Sequence, residues 1–213
     1  PAKRVYRGIE VLARKTAGDR LWFQASYAYS SLRGNYDGGV NENVDGETTP
    51  GANRDFDYEA LWQNAYGILA LDRPHRFRLD GYWTTPWRLS VGLQAFAASG
   101  APLNRFGFFN DAYGAAIFLE PRGSAGRLPT FWGADLTLDY PILVGPVTVT
   151  LRAYVFNVFN KQIAASRDET WSLNASGNYP ADLFDPDQPN SNDNYGKITS
   201  RQDPRLFRAA VKI

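Results

Sequence analysis

The sequence contains no cysteine and no methionine among its 213 residues. Without thiols, neither a disulfide framework nor a thiolate metal site can be built. A single histidine, His75, excludes a Cys–His nucleophile pair and a histidine-rich zinc site. An excess of one charge is missing too, since 23 basic and 22 acidic residues leave a formal net charge of +1. That balance excludes the basic excess by which nucleic-acid binders hold phosphate, so no nucleic-acid partner is expected. Gly8, Gly34, Gly38 and Gly39 follow no phosphate-loop spacing. No apolar run approaches the roughly 18 residues that a membrane-spanning helix requires. The best stretch, Tyr140 to Val149, is interrupted by Pro141, Gly145 and Pro146. The chain opens on Pro1 and shows no basic-then-apolar leader, so a processed or truncated product is expected.

What is present is aromatic. Tyr, Trp and Phe number 12, 6 and 13, while the mean hydropathy is negative. A soluble core and a membrane β-barrel are both compatible with that pairing. Barrel strands alternate lipid-facing apolar residues with lumen-facing polar ones and so average as hydrophilic. The length suits one sizeable domain.

Period-two alternation dominates the chain. Leu21, Phe23, Ala25, Tyr27 and Tyr29 fall on one side of a run whose other side is Trp22, Gln24, Ser26, Ala28 and Ser30. Leu89, Val91, Leu93, Ala95 and Ala97 oppose Arg88, Ser90, Gly92 and Gln94. Trp132, Ala134, Leu136, Leu138 and Tyr140 oppose Gly133, Asp135, Thr137 and Asp139. Val147, Val149, Leu151, Ala153 and Val155 oppose Thr148, Thr150, Arg152 and Tyr154. Phe207, Ala209, Val211 and Ile213 alternate with Arg208, Ala210 and Lys212. Weaker runs over Arg4 to Lys15 and Arg76 to Thr85 bring the expectation to about seven strands. Each is near the ten residues that a tilted strand needs to cross a bilayer.

The connections alternate in length. Short turns are expected at Ala17-Gly18-Asp19, around Thr85-Pro86-Trp87 and from Pro141 to Pro146. Long polar stretches rich in Gly, Asn, Asp and Pro lie at about Leu32 to Asp72, Ser99 to Pro129 and Asn160 to Gln202. Loops of that length are uncommon inside a compact soluble domain. Short turns at one end and long loops at the other are the asymmetry of outer-membrane barrels. The pattern therefore predicts an all-β, antiparallel, up-and-down transmembrane barrel segment, with turns periplasmic and loops extracellular. Tyr27, Tyr29, Trp83, Trp87, Trp132 and Tyr140 then fall near the bilayer edges, where amphipathic rings favour the headgroup layer.

Several short segments resemble the C-terminal end of TonB-dependent receptors, the Oar-like, carboxypeptidase-regulatory-like group in particular. They are Tyr6-Arg7-Gly8-Ile9-Glu10, Phe23-Gln24-Ala25-Ser26-Tyr27-Ala28-Tyr29-Ser30, Asp72-Arg73-Pro74-His75-Arg76-Phe77 and Ala98-Ser99-Gly100-Ala101-Pro102-Leu103. Arg122-Gly123-Ser124-Ala125-Gly126-Arg127-Leu128-Pro129, Val155-Phe156-Asn157-Val158-Phe159-Asn160 and Asp203-Pro204-Arg205-Leu206-Phe207-Arg208 complete the set. The resemblance implies a 22-stranded barrel of which residues 1–213 are the last part, with the plug and upstream strands absent. It implies as partners the outer-membrane lipid, the rest of the barrel with its plug, and TonB through the missing N-terminal region. Such barrels usually end on an aromatic residue, whereas this chain closes on Ile213.

No catalytic residue is expected, and no cofactor is required. His75 sits at a strand entrance between Arg73 and Arg76, which suits a structural or interfacial role. Phe106, Phe108, Phe109, Tyr113 and Phe118 cluster in the second long loop. They are candidates for ligand contact, with loop-to-loop packing as the alternative. Asp185, Asp187 and Asp193, with Asp182, Asn190 and Asn192, could offer hard oxygen ligands to calcium, although the EF-hand glycine and terminal glutamate are missing. Asp37, Asn41, Asn43, Asp45 and Glu47 are a thinner version of the same. Arg88, Gln94, Asp135, Asp139 and Arg152 are expected to line a lumen and meet a plug. Competing readings are a plugless porin or adhesin-type barrel, a structural component of an outer-membrane assembly, and a soluble carbohydrate-binding β-sandwich.

Overall fold

A computed structural model describes residues 1–37, 56, 59–109, 115–172 and 192–213. Thirteen strands run along them: β1 Arg4–Ala17, β2 Leu21–Gly34, β3 Gly67–Ile68, β4 His75–Thr84, β5 Ser90–Ala98, β6 Phe106–Phe109, β7 Ala115–Phe118, β8 Phe131–Val144, β9 Val147–Phe156, β10 Ala164–Arg167, β11 Thr170–Ser172, β12 Ile198–Arg201 and β13 Leu206–Lys212. Seven form an antiparallel meander in the order β1-β2-β4-β5-β8-β9-β13, with the short β3 added to the far end of β2. The up-and-down, all-β architecture expected from the alternation is what the chain adopts. No closed barrel forms among the described residues, because β1 and β13 are the two edges of an open sheet.

The turns at one end are tight for local reasons. Gly18 and Gly145 take the positive φ values 55° and 58° that hairpin turns favour and that residues with a Cβ seldom reach. Strand β8 continues past the expected break at Pro141, which pairs with Thr150 of β9. Pairing with β5 stops at Asp139, so Pro141 needs a neighbour on one side only and its missing N–H costs no ladder bond there. Arg88 is a second departure. It lies in the turn before β5, exposed and with φ 69°, and so leaves the wall to which the alternation assigned it.

Directly paired residues of an antiparallel ladder point to the same side, so the register sorts the meander into two faces. One carries Ile9, Val11 and Ala13 of β1, Phe23, Ala25 and Tyr27 of β2, and Phe77, Leu79 and Gly81 of β4. It continues through Val91, Leu93 and Ala95, then Ala134, Leu136 and Leu138, and on to Leu151, Ala153, Ala209 and Val211. The other face carries Glu10, Arg14, Gln24, Arg78, Asp80, Gln94, Asp135, Thr137, Asp139, Arg152 and Arg208. Strands β1 and β13 are exposed along their whole length on both faces.

Most of the buried residues are at the long-loop end. Leu69 and Ile117 are almost fully enclosed there. Strands β6 and β7 pair with one another, β11 joins β6 in parallel, and β10 pairs with β12. The sequence showed these stretches as loops because their strands, of three or four residues, are too short to display a period.

Candidate functional site

Three surfaces carry the chemistry: an apolar face, a polar face and a rim of folded loops. On the apolar face, the central positions of all seven strands hold no Asp, Glu, Lys or Arg. Exposed aromatics bound that band on both sides. Tyr27, Tyr29 and Phe77 stand towards the loops, and Trp83, Trp87 and Tyr140 towards the turns. At 42% to 63% exposure these large rings are not core residues of this sheet. Trp132 lies on the loop side, with its ring 5.5 Å from that of Phe159. Along β8 the step from Trp132 to Tyr140 spans about 27 Å at ~3.4 Å per residue. A strand tilt of roughly 40° reduces this to about 21 Å of height, close to the ~25 Å apolar band of a membrane barrel. Rings with an apolar body and a polar edge at both borders match the two headgroup layers of a bilayer.

The polar face is wired across its strands. Arg78 donates from Nε to Asp80 Oδ2 at 2.7 Å, and Gln94 Nε2 donates to Asp80 Oδ1 at 3.0 Å. Arg152 makes a two-pronged contact with Asp139, at 2.6 and 2.5 Å. Arg14 donates to Gln24 Oε1 at 3.1 and 2.6 Å. Of the expected wall residues, Gln94, Asp135, Asp139 and Arg152 do share this face. Such a surface suits water and a polar partner and would be costly against hydrocarbon.

The rim binds the long loops to the strand ends through a few buried polar side chains. Asp72 is 3% exposed. Its carboxylate accepts the Leu32 N–H and an Arg127 N–H, both at 2.5 Å. Arg127 also donates to the Gly100 carbonyl at 3.1 Å. A Cβ on Gly100 would stand 1.8 Å from the Leu128 carbonyl oxygen, so only glycine permits that crossing. Asn157 takes φ 48°, which asparagine tolerates better than most residues. Its N–H donates to Asp135 at 2.7 Å, while its side-chain amide donates to the carbonyls of Lys161 at 2.8 Å and Asp203 at 2.7 Å. Asn160 Oδ1 accepts the Arg205 N–H at 3.0 Å. Arg122 pairs with Asp37, both buried. Asn104 donates from its backbone and side-chain nitrogens to Glu169 Oε2, at 2.6 and 2.8 Å, and accepts the Gly123 N–H at 2.8 Å. Burial pushes the Glu169 carboxyl above the ordinary glutamate range, against the opposing pull of the Asn104 bonds.

Of the aromatic candidates, Phe106 and Phe118 pack against one another across β6 and β7, centroids 5.1 Å apart and planes tilted by 50°, buried with Ala65. They occupy the interior of the rim. For Phe108 and Phe109 only the strand position is described, and Tyr113 lies outside the described residues, as do Asp185 and Asp187. Asp193 is exposed, and no group of three metal-type side chains converges among the described residues. Asp37 is committed to Arg122. His75 lies at the apolar border, its Nδ1 2.8 Å from the Tyr27 hydroxyl. Asp72, Arg127, Asn157 and Asn104 were not singled out as functional by the sequence. Three of them lie in segments quoted for the family resemblance, and the polar residues in those segments were the available signal.

No family model matches the chain, and no solved structure matches it. Among curated proteins it is similar to the "TonB-dependent transporter Oar" of Myxococcus xanthus, 32% identical over 190 residues. The match takes in 84% of this chain and 18% of the relative, so the chain spans less than a fifth of the protein it resembles. The likeness is thus to part of a transporter, and the chain that carries it folds as a two-faced up-and-down sheet.

Proposed function

We propose that this chain is part of the barrel wall of a TonB-dependent outer-membrane receptor that takes up a ligand, and that it has no enzymatic role. The apolar face meets lipid, and the polar face lines the lumen and contacts a plug. The edges of β1 and β13 pair with further strands, since unpaired backbone groups in hydrocarbon are very costly. Coupling to TonB falls to the parent protein's N-terminal region. Ligand contact falls to the loop side, where Phe108, Phe109 and Tyr113 remain candidates. The carrying observation is the charge-free band between two aromatic rows, backed by a face that carries ion pairs within and between its strands.

Fractionation of cells producing the protein tests this reading. The protein should sediment with outer membranes, resist extraction by alkaline carbonate and require detergent to stay dispersed. A protein that remains monomeric and dispersed without detergent would overturn the assignment.

A further inference from the structure

Resting on the membrane reading above, we propose that Arg7 and Arg33 form a binding site for the phosphate-bearing headgroup of an outer-leaflet lipid. Both lie on the apolar side of the sheet. Arg7 pairs with Ser31, and Arg33 with Val5, two and four residues beyond the Ile9–Tyr29 pair. They therefore stand immediately past the loop-side aromatic row, at the height where headgroups begin. Ser31, Arg7, Arg33 and Tyr29 are all exposed, and His75 packs its ring 5.3 Å from that of Tyr29. Two guanidiniums and two hydroxyls thus open outwards in one patch.

The contrast with the polar face identifies the missing partner. There Arg78 and Arg152 each meet a carboxylate on a neighbouring position. On the apolar side no strand position of the meander carries an acid, and neither Arg7 nor Arg33 has a hydrogen-bonded or ionic side-chain partner among the described residues. Cations beside hydrocarbon are expensive unless an anion or water reaches them. The anion available at that height is a lipid phosphate, and a guanidinium fork matches it in charge and geometry. Cationic side chains near an anionic lipid surface each add to binding. The opposite border offers only Lys15 on this side of β1, a point charge without a second cation beside it.

Native mass spectrometry of the detergent-purified protein tests the site, with diphosphorylated lipid A as the probe. The protein should retain the lipid, and Arg7→Gln with Arg33→Gln should lower retention about tenfold or more. Lipid A stripped of its phosphates should not be retained, and Lys15→Gln should change retention less than about twofold. Unchanged retention in the double variant overturns the proposal. Full displacement by excess inorganic phosphate also overturns it, because the site would then hold the free anion. Failure of the membrane reading shows separately, as a protein that stays dispersed when detergent is withdrawn.

Discussion

Leu136 and Thr137 are neighbours in β8, yet they lie on opposite sides of the sheet. Leu136 sits in a row with Leu93 and Val155, and Thr137 in a row with Gly92 and Tyr154. The same comparison holds across the sheet, where the apolar side shows no ion pair in its central band and the polar side carries Arg78–Asp80 along β4 and Arg152–Asp139 between β8 and β9. In a soluble protein one face of a sheet packs on a core and the other meets water. Here the apolar face carries large exposed rings and no covering layer on β1 or β13. The difference between the faces is that one is apolar and carries exposed rings while the other is polar and carries ion pairs, which is what the proposed membrane reading requires.

The largest expected effect breaks this comparison directly. Leu136→Arg should destabilise the folded protein in lipid vesicles by about 2–4 kcal/mol, the cost of an arginine near the bilayer midplane. Thr137→Arg, one residue away, should change it by less than about 0.5 kcal/mol, as surface substitutions in water do. Reversible unfolding titrations in vesicles measure both. Equal costs at the two positions would remove the distinction between the faces.

The rim sharpens the comparison, because its stability rests on specific bonds rather than on a medium. Asn157→Ala should cost about 2–3 kcal/mol, from loss of the side-chain bonds to Lys161 and Asp203 and from forcing alanine to a left-handed φ. Asn157→Asp should keep the acceptor side of that contact and lose the donor side, for an intermediate loss. The same unfolding titrations read the effect, and limited proteolysis should show it localised at the loop end. Smaller still is the polar face. Asp139→Asn, at a pair that is partly exposed, should cost less than about 1 kcal/mol and should weaken with added salt.

The meander was legible because each of its strands is long enough to show the period and the sides differ in kind. Boundaries failed where turn chemistry overrode the pattern. The alternation of Leu89 to Ala97 extends back to Arg88, but that residue already turns, and Pro141 looked like a break until the missing partner beyond Asp139 explained it. The rim was not legible. Asp72 meets Arg127 across 55 residues and Asn157 meets Asp203 across 46, and no local period encodes such contacts. Phe106 and Phe118 show the same limit. An aromatic cluster in a polar loop reads equally well as a ligand surface or as an interior, and only pairing of β6 with β7 distinguishes them.

The smallest expected effect concerns Glu169, and its sign runs against habit for a carboxylate. Burial raises its pKa in the folded rim above the ordinary glutamate value, while the Asn104 bonds pull the other way. Between those two values the folded state holds more proton than the unfolded one, so stability falls as pH rises through that window. The contribution is fully present below the ordinary glutamate pKa and lost above the raised one. Lowering the pH from neutral should therefore increase the protection of the Asn104 amide, which donates to Glu169 at 2.6 Å. Hydrogen exchange, corrected for the intrinsic pH dependence, measures this. Glu169→Gln keeps an acceptor for the same amide but cannot titrate, so its protection should be flat over the window. A pH dependence that survives in the variant would assign the effect to another group. It would leave the rim, like the apolar face, without a proton-linked contribution from this carboxyl.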